Sequence, residues 1–443
     1  MQRSVHLVGI AGTGMSALAE ALLDAGRAVT GSDRFFDRGA AVPALDALRA
    51  RGVPLFPQDG SGVGPATECV VVSTAVEADN PDLAAAARLG VPVRHRAAAL
   101  AALLSDRRLV AVAGTSGKST TTALLGHLLA EAGLDPTVVD GAACLNWRAP
   151  DRTGAVRAGA PGGLCVAEVD ESDRSLLSFR PAAALLLNAS ADHFPLGETN
   201  DLFDRFLAQV EPGGPVVDAR GEPPVACEEG PWSVSFHFRG RRMEVPLPGA
   251  HHAQDAALAC RMALALGAPE EALAPALSSF RGLARRMELV GVRADGLRVV
   301  DDYAHNTEKL RATLSALEAR APRVFAIWRP HGYAPLRKMR DDLAAMFRDT
   351  LRPDDRLLLL PVFDAGGTAA RDVSSDDFAS QLRALGVPAE CVPDAAAAAA
   401  AVSAAAGPAD IAATLGARDP DLPRLARAIA GLRDPVAAGG LPA

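Results

Sequence analysis

The sequence is poor in lysine and lacks any closely spaced pair of cysteines. Only three of its 45 basic residues are lysines, and all the others are arginines. Its six cysteines are scattered without a C-x-x-C pair, at Cys69, Cys144, Cys165, Cys227, Cys260 and Cys391. This spacing argues against a disulfide framework and against a zinc site, and it favours reduced thiols in a cytoplasmic protein.

Long runs of a single charge and long apolar runs are also missing. The formal net charge is −8, and it is spread along the chain, so nothing favours binding to nucleic acid or to an anionic membrane surface. No charge-free apolar stretch reaches the roughly 18 residues that a membrane helix requires. The N-terminal stretch MQRSVHLVGIAGTG passes directly into a predicted strand and glycine turn. We therefore expect no leader, no membrane contact and a cytoplasmic location.

The most informative stretch is AVAGTSGKSTTT at residues 111–122. An apolar strand there leads into a glycine-bracketed loop, which predicts a cradle for a nucleoside triphosphate because loop N–H groups and a helix N-terminus bind phosphate oxygens. Lys118 would reach the phosphates and Ser119 would hold Mg²⁺. Only Gly114 and Gly117 frame the turn. An ordinary Gly/Ser turn before a helix is therefore the alternative.

The distribution of apolar strands predicts an α/β fold with three domains, at residues 1–106, 107–293 and 294–443. The first opens as a Rossmann-like βαβ unit. The second is a P-loop domain whose parallel sheet is covered by helices that include residues 200–210 and 253–266. Its Pro/Gly-rich residues 211–230 predict a loop or an irregular hairpin. The third is a further doubly wound, Rossmann-like domain, and two polar clusters at its strand ends suggest that it closes over the nucleotide.

The glycine turn in the first domain suits a diphosphate. Gly9, Gly12 and Gly14 do not follow the G-x-G-x-x-G spacing, so NAD is disfavoured and a purely structural turn remains possible. Asp33 could accept a hydrogen bond from a ribose or cap a turn. Ser73 and Thr74 follow a further buried strand, in the position where open α/β sheets bind ligands.

Carboxylates crowd the end of one strand in the second domain, in AEVDESD, at Glu168, Asp170, Glu171 and Asp173. Their mutual repulsion suggests a nearby cation, and Mg²⁺ would take one of them as a ligand. The alternative is a solvated acidic loop that caps a helix.

Further candidate groups follow other strands. Asp192 and His193 come after a strand of the second domain, where a single histidine could equally be structural. The pair Arg285 and Arg286 could clamp a phosphate or a carboxylate, or could simply lie at the surface. The two polar clusters of the third domain are Asp301, Asp302, Tyr303 and His305 in one, and Arg329, His331 and Tyr333 in the other.

The order of these motifs along nearly the whole chain resembles the Mur ligases, ATP-dependent amide ligases of peptidoglycan precursor synthesis. The opening HLVGIAGTGMSALAEALLDAG with GSD resembles their uridine-nucleotide-binding segment. It is followed by GTSGKSTTT, AEVDESD, N-x-x-x-DH, PGAHHAQDA, RRME, DDYAHN and RPHGY. Such a series is far more specific than any single member.

The resemblance implies a role for each matched position. Catalytic roles would belong to Lys118, Glu171, His193, Arg286 and His305. Mg²⁺ would be held by Ser119, Glu171 and His193. ATP would be bound by Gly114, Thr115, Ser116, Gly117, Lys118, Ser119, Thr120, His252, Asp255 and Asp302. The UDP-sugar would be cradled by Gly12, Thr13, Gly14, Met15, Ser16, Asp33, Ser73 and Thr74.

A missing lysine indicates the branch of the family. Several Mur ligases carry a carbamylated lysine after the DH motif, whereas this chain has no lysine between Lys118 and Lys309. It therefore resembles the alanine-adding branch and the relative that attaches recycled tripeptide. The segment RPHGY is similar to the Q-P-H-R-Y of the alanine-adding branch. The implied reaction joins L-alanine to the lactyl carboxylate of UDP-N-acetylmuramate through an acyl phosphate, with ATP, Mg²⁺ and small-molecule substrates only, in a monomer or homodimer.

Four single positions and one short segment depart from the family pattern. His252 and Asp255 replace the two asparagines of H-N-x-x-N, which read adenine, although imidazole and carboxyl groups can still do so. Thr307 replaces a frequent proline, Gly332 replaces the arginine of Q-P-H-R-Y, and LGARD replaces G-A-G-D. Three alternatives stay open: a tripeptide, another amine, or a catalytically inactive nucleotide-sugar-binding paralogue.

Overall fold

The computed structural model describes residues 3–40, 42–191, 194–364, 370–417 and 419–432. The chain divides into two compact units between Leu283 and Ala284. No helix among the described residues combines the length and the apolarity that crossing a membrane requires.

The first unit begins with a sheet of five parallel strands. These are β1 (Ser4–Val8), β2 (Ala28–Ser32), β3 (Leu55–Phe56), β4 (Thr67–Val72) and β5 (Val93–His95). The helices between and after them are α1 (Thr13–Asp24), α2 (Arg34–Asp37), α3 (Pro43–Ala50), α4 (Pro81–Leu89) and α5 (Arg96–Leu103). The strand order β3-β2-β1-β4-β5 reverses direction between β1 and β4. In open α/β sheets, such a reversal opens a ligand crevice at the carboxyl ends of the strands.

The second sheet of this unit has six strands. They are β6 (Arg108–Ala113), β7 (Thr137–Val139), β8 (Val156–Arg157), β9 (Leu164–Glu168), β10 (Ala183–Leu186) and β11 (Val216–Asp218). Their order is β11-β10-β6-β9-β7-β8, and only the β7–β8 pair is antiparallel. The associated helices are α6 (Lys118–Glu131), α7 (Leu196–Leu207), α8 (Ala250–Ala265), α9 (Glu270–Ser279) and a short 3₁₀ helix at Ser175–Ser178. Strand β6 is buried from Leu109 to Ala113, as a strand covered on both faces must be.

The segment 211–230 contains more regular structure than a loop. Its residues supply β11 and a further strand, β12 (Cys227–Glu229), which pairs with β13 (Val234–Phe238). With β14 (Arg241–Val245), these strands form a small antiparallel sheet. Strand β14 and this sheet were not predicted from the sequence, because β12 and β14 carry mostly polar side chains and only β13 is largely buried.

The first two sheets share one apolar core. A single cluster of buried side chains includes Leu7 from β1, Leu18 from α1, Ala111 from β6 and Phe203 from α7. Charged groups join the same two regions, since Arg152 donates two hydrogen bonds to the carboxylate of Asp24. Residues on both sides of the predicted boundary at 106/107 therefore pack together.

The second unit contains a third sheet, of six strands. They are β15 (Glu288–Val292), β16 (Arg298–Asp302), β17 (Val324–Trp328), β18 (Arg356–Leu359), β19 (Ala389–Cys391) and β20 (Ile411–Leu415). The order is β15-β16-β20-β17-β18-β19, and β15 alone is antiparallel to its neighbour. The helices are α10 (Thr307–Glu318), α11 (Tyr333–Thr350), α12 (Ser375–Ala384), α13 (Ala395–Ala405) and α14 (Leu422–Ile429).

These sheets confirm the predicted α/β class, with mainly parallel sheets. The domain boundaries stay a prediction. Strand β15 pairs with β16 and belongs to the second unit, whereas the predicted boundary at 293/294 would separate the two strands. The predicted helices at 200–210 and 253–266 correspond to α7 and α8, which begin four and three residues earlier, at Leu196 and Ala250.

Candidate active site

The glycine-bracketed loop joins β6 to α6, and its backbone requires both glycines. Gly114 and Gly117 have φ angles of 141° and 84°, which side-chain-bearing residues rarely adopt. A Cβ on Gly114 would also lie 3.0 Å from the Cβ of Leu187. Helix α6 begins at Lys118 directly after Gly117, so the N–H groups of its first turn are directed towards the loop, where they can bind an anion.

Asn188, just after β10, fixes this loop in place. Its side-chain oxygen accepts the N–H of Ser116 at 2.9 Å, and its amide nitrogen donates to the carbonyl of Ser116 at 3.0 Å. The hydroxyl of Thr115 accepts the N–H of Ser190 at 3.0 Å. Asn188 was not among the site residues predicted from the sequence. Its position as the first residue of the N-x-x-x-DH motif was the sequence signal that could have identified it.

Lys118 lies over the loop and binds an acidic side chain. Its Nζ donates to the carbonyl of Gly114 at 2.7 Å and to Oε2 of Glu171 at 2.8 Å. Asp170 lies further away, with Oδ1 3.8 Å from Nζ. Burial raises the pKa of Glu171, and the ammonium of Lys118 opposes that shift. The predicted metal ligand Glu171 is thus an ion-pair partner of the lysine in this structure.

Glu168 is the carboxylate that faces Ser119. The Ser119 hydroxyl donates to Oε2 of Glu168 at 2.9 Å, and the backbone N–H of Gly141 donates to the same oxygen at 2.9 Å. Hydroxyl and carboxylate oxygens are hard donors that suit Mg²⁺. Among the described residues, no group of three or more His, Cys, Asp or Glu side chains could hold a metal. A magnesium ion here would therefore take its remaining ligands from phosphate oxygens and water.

Asp192 and the predicted catalytic and metal residue His193 lie outside the described residues. Their roles, and the metal role of Glu171, stay predictions. Thr120 is buried in the first turn of α6, in the stretch expected to bind phosphate.

Two residues of α8 were expected to read adenine, and one of them reaches the loop. A Cβ placed on Gly117 would lie 2.7 Å from Oδ1 of Asp255. His252 lies on the same helix, buried, with its Nδ1 2.8 Å from the carbonyl of Pro248. Burial raises the pKa of Asp255 to about 8.

The residues predicted to bind the UDP-sugar lie near the point where the strand order of the first sheet reverses, between β1 and β4. Gly12 is the N-cap of α1, whose first turn contains Thr13, Gly14, Met15 and Ser16. Ser73 and Thr74 directly follow β4, the parallel neighbour of β1. The turn after β1 and the residues after β4 thus lie at the same edge of the sheet.

Asp33 stabilises the glycine turn. It accepts the N–H of Ala11 at 2.9 Å and, as the N-cap of α2, the N–H of Phe35 at 2.8 Å. The turn-capping alternative is therefore present in the structure, and the ribose contact stays a prediction. Arg96 was not among the site residues predicted from the sequence. Its guanidinium lies close to Gly14, because a Cβ there would be 3.0 Å from Nη1.

In the second unit, Asp302 holds the backbone just before β15 and just after β16. Its carboxylate accepts the N–H groups of Met287 and Ala304, both at 2.7 Å. Burial raises its pKa. The predicted ribose contact of Asp302 would have to use lone pairs that these bonds leave available.

The two arginines of RRME have different surroundings. Arg285 pairs with the buried Asp301 at 3.1 Å and donates to the carbonyl of Gly416 at 2.5 Å. Both guanidinium groups lie beside Tyr303, that of Arg285 5.1 Å and that of Arg286 5.4 Å from the ring centre. Arg285 is thus a structural residue, and Arg286 stays the candidate for binding an anion.

His305 has an aromatic neighbour from another strand end. Its ring centre lies 4.9 Å from that of His331, which follows β17. The Nδ1 of His305 lies 2.9 Å from the carbonyl of Tyr303. The motifs DDYAHN and RPHGY therefore meet in space, which brings His331 into the candidate site beside His305.

The loop with Lys118 and Ser119, followed by carboxylates at the end of β9, defines an enzyme that uses a nucleoside triphosphate. Two family models identify the protein family more specifically. "Mur ligase family, catalytic domain" matches residues 4–108, and "Mur ligase, glutamate ligase domain" matches residues 285–418. The chain belongs to the Mur ligase family, whose members are ATP-dependent amide ligases.

Curated relatives span nearly the whole chain. It is 32% identical to the UDP-N-acetylmuramate–L-alanine ligase of Streptomyces coelicolor, with 94% of both chains covered. It is 34% identical to the enzyme of the same name from Mycobacterium tuberculosis, with 94% of this chain and 92% of the relative covered.

Solved structures of two other proteins have a similar fold. UDP-N-acetylmuramate-alanine ligase MurC from Thermotoga maritima superposes with a TM-score of 0.77 at 23% identity, covering 97% of this chain and 98% of that chain. A murein peptide ligase from Psychrobacter arcticus gives a TM-score of 0.66 at 20% identity, covering 98% and 100%.

Proposed function

We propose that this chain joins L-alanine to the lactyl carboxylate of UDP-N-acetylmuramate, with hydrolysis of ATP to ADP and phosphate, in cytoplasmic peptidoglycan precursor synthesis. The observation that carries the proposal is the loop at residues 114–119. Asn188 fixes it, Lys118 lies over it, and Ser119 faces Glu168. The names of the relatives support the choice of substrates.

The sugar nucleotide would bind at the carboxyl ends of β1 and β4. Backbone N–H groups of the turn before α1, together with Gly12 and Gly14, can approach a diphosphate closely because no Cβ intervenes. Arg96, whose guanidinium lies against Gly14, would add a positive charge beside the phosphates.

The reaction would then proceed in two balanced steps. A lactyl carboxylate oxygen attacks the γ-phosphorus, and ADP leaves, which gives an acyl phosphate. The amine of L-alanine attacks the acyl carbon, loses a proton, and expels phosphate, which keeps the carboxylate oxygen. Lys118 would stabilise the charge on the transferred phosphoryl group.

Magnesium fits the oxygen donors at this site. Ser119 and one of the carboxylates Glu168 and Glu171 would hold the ion, with His193 as a further predicted ligand. When bound, Mg²⁺ neutralises the charge that builds up on the phosphoryl oxygens. We assign ribose binding to Asp302, and contacts with phosphate or substrate to Arg286 and His305.

A larger amine is the second candidate. Gly332 is the N-cap residue of α11, with a φ of 154°. It presents no side chain at a position where the alanine-adding branch carries an arginine. The tripeptide L-Ala-γ-D-Glu-meso-diaminopimelate would then replace L-alanine.

The test measures phosphate release together with the mass of the nucleotide product. ATP, Mg²⁺ and UDP-N-acetylmuramate are mixed with each of the twenty amino acids or with the tripeptide, and Lys118→Ala serves as the blank. Turnover that requires both the sugar nucleotide and L-alanine supports the proposal. Turnover with the tripeptide alone supports the second candidate. Sugar-nucleotide binding without turnover for any amine would contradict both and indicate an inactive paralogue.

A further inference from the structure

A buried carboxyl group lies directly against the phosphate loop. Asp255 is on α8, which packs along α6. A Cβ placed on Gly117 would be 2.7 Å from its Oδ1 and 3.4 Å from its Oδ2. The carboxyl therefore contacts the glycine that immediately precedes Lys118. Any phosphate bound by this loop would share its surroundings with Asp255.

Negative side chains already outnumber positive ones around the loop. Lys118 pairs with Glu171 at 2.8 Å and has Asp170 at 3.8 Å, and Ser119 is bound to Glu168. An ionised Asp255 would add a further negative charge where burial limits screening by water. Such a charge would oppose the binding of a polyphosphate to the same loop.

The surroundings of Asp255 favour its neutral form. Only 6% of the residue is exposed. Burial raises its pKa to about 8, and the Thr121 hydroxyl lowers it to a smaller degree.

Several titratable groups lie on the elements that pack against α8. These groups are Lys118, His127 and Glu131 on α6, Asp218 on β11, Cys227, Glu228 and Glu229 on β12, His237 on β13, Arg241, Arg242 and Glu244 on β14, and Glu270 and Glu271 on α9. Several have other partners: His127 contacts Ser279, Asp218 pairs with Arg220, and Glu228 pairs with Arg242. His251 and His252 are the histidines of α8 itself.

We infer that Asp255 is a proton-linked positioning residue of the nucleotide site: the loop binds a nucleoside triphosphate when Asp255 is a neutral carboxyl, and binding draws a proton from solvent onto an ionised Asp255. The inference rests on the proposed ATP role of this loop, and it adds control of that site by pH. The neutral carboxyl has an O–H donor and a carbonyl acceptor, and a carboxamide likewise has N–H donors and a carbonyl acceptor.

This linkage predicts how affinity varies with pH. If only the neutral form is competent, the apparent Kd rises as the neutral fraction falls, about tenfold between pH 7 and pH 9. Phosphate groups titrate near pH 6, below this range. Near pH 8.5, binding should take up most of one proton per nucleotide.

Titration calorimetry of the full chain tests the inference. ATP with Mg²⁺ is titrated without sugar nucleotide or amine, at pH 6.5 and pH 8.5, in two buffers of unlike ionisation enthalpy. The wild type should take up a proton at pH 8.5, and Asp255→Asn should take up none and bind equally well at both pH values. The matched control is Glu318→Gln, which removes a carboxyl with a raised pKa of about 7 from α10 in the other unit. It should behave as the wild type.

The possible outcomes distinguish failure of the inference about Asp255 from failure of the proposed function. Binding of ATP with a pH-independent Kd and no proton uptake in the wild type overturns the inference and leaves the proposed function standing. Absence of ATP binding at pH 6.5 overturns both. If Asp255→Asn does not fold, as judged by circular dichroism, the wild-type proton uptake and pH series still decide the question.

Discussion

The hydroxyl of Ser119 donates a 2.9 Å hydrogen bond to Glu168, the last residue of β9. The oxygen that accepts this bond also accepts the N–H of Gly141. Glu171, to which the family resemblance assigned the metal, instead pairs with Lys118. The two carboxylates thus have different partners within one loop, and substitution can tell their roles apart.

Glu168→Gln should weaken magnesium-dependent catalysis more than nucleotide binding. The variant keeps an oxygen for Ser119 but loses the negative charge that a hard cation requires. We expect the Mg²⁺ concentration for half-maximal phosphate release to rise about 10- to 100-fold, the range typical when a partner of a metal site is lost. The control, Glu171→Gln, should mainly alter the affinity for ATP, because it frees Lys118. An unchanged Mg²⁺ requirement in Glu168→Gln would exclude Glu168 from the metal site.

Gly117→Ala should abolish nucleotide binding and destabilise the first unit. The substitution forces a side chain into φ 84° and places its Cβ 2.7 Å from the Asp255 carboxyl. Positive φ at a residue other than glycine costs about 1–3 kcal/mol. Gly133→Ala is the matched control, since Gly133 has φ 79° and nothing within 4 Å of an added Cβ. Equal losses of unfolding free energy in the two variants would show that the contact with Asp255 is unimportant.

Asp24→Asn should weaken the packing between the first two sheets. Asp24 binds Arg51 at 2.6 Å and Arg152 at 2.9 Å, and hydrogen bonds to charged groups contribute about 1.5–3 kcal/mol. We expect a loss of about 2 kcal/mol at pH 7. Asp46→Asn breaks only the exposed pair with Arg49, so it should cost less than about 0.5 kcal/mol.

The pH dependence of Asp24→Asn follows from the direction of its shift. Burial acts to raise the pKa of Asp24, but Arg152 and Arg51 lower it below the ordinary value of 3.8. The stabilisation is therefore present above about pH 4 and is lost as pH falls through the folded-state pKa. Urea unfolding at pH 7 and pH 3 measures this. A penalty that grows on acidification would contradict the prediction.

Asp255→Asn should increase the free energy of unfolding at neutral pH, whereas Asp24→Asn should decrease it. The folded-state pKa of Asp255 is about 8, above its ordinary value of 3.8. The wild type therefore loses unfolding free energy as pH rises between about 4 and 8, by at most about 1.4 kcal/mol per pH unit. The variant has no such loss, so its advantage should grow with pH and level off above pH 8. Asp301→Asn removes a carboxyl group with a pKa of about 6. Its gain in unfolding free energy over the wild type should level off near pH 6. A constant difference for Asp255→Asn from pH 5 to pH 8 would show that this carboxyl ionises normally.

Local patterns allowed the phosphate loop and the parallel sheets to be predicted. Gly114, Gly117 and Lys118 are neighbours in the chain, and their spacing predicts the turn and the start of α6. Apolar runs such as that of β6 can be buried only in a sheet covered on both faces.

Pairings between distant segments could not be predicted. Four carboxylates follow one another in AEVDESD, and only the folded chain decides that Glu168 faces Ser119. The contact between Asp255 and Gly117 likewise depends on how α8 packs on α6. The small sheet of β12, β13 and β14 was missed because its outer strands lack an apolar pattern.

The central claim is that the chain activates the lactyl carboxylate of UDP-N-acetylmuramate with ATP. The most direct test uses this substrate with ¹⁸O at both carboxylate oxygens, in the presence of ATP, Mg²⁺ and L-alanine, followed by mass spectrometry of the released phosphate. The account predicts one ¹⁸O atom in each phosphate, because the oxygen that attacks phosphorus leaves with it, and no release with Lys118→Ala. Phosphate released without the label would contradict carboxylate activation.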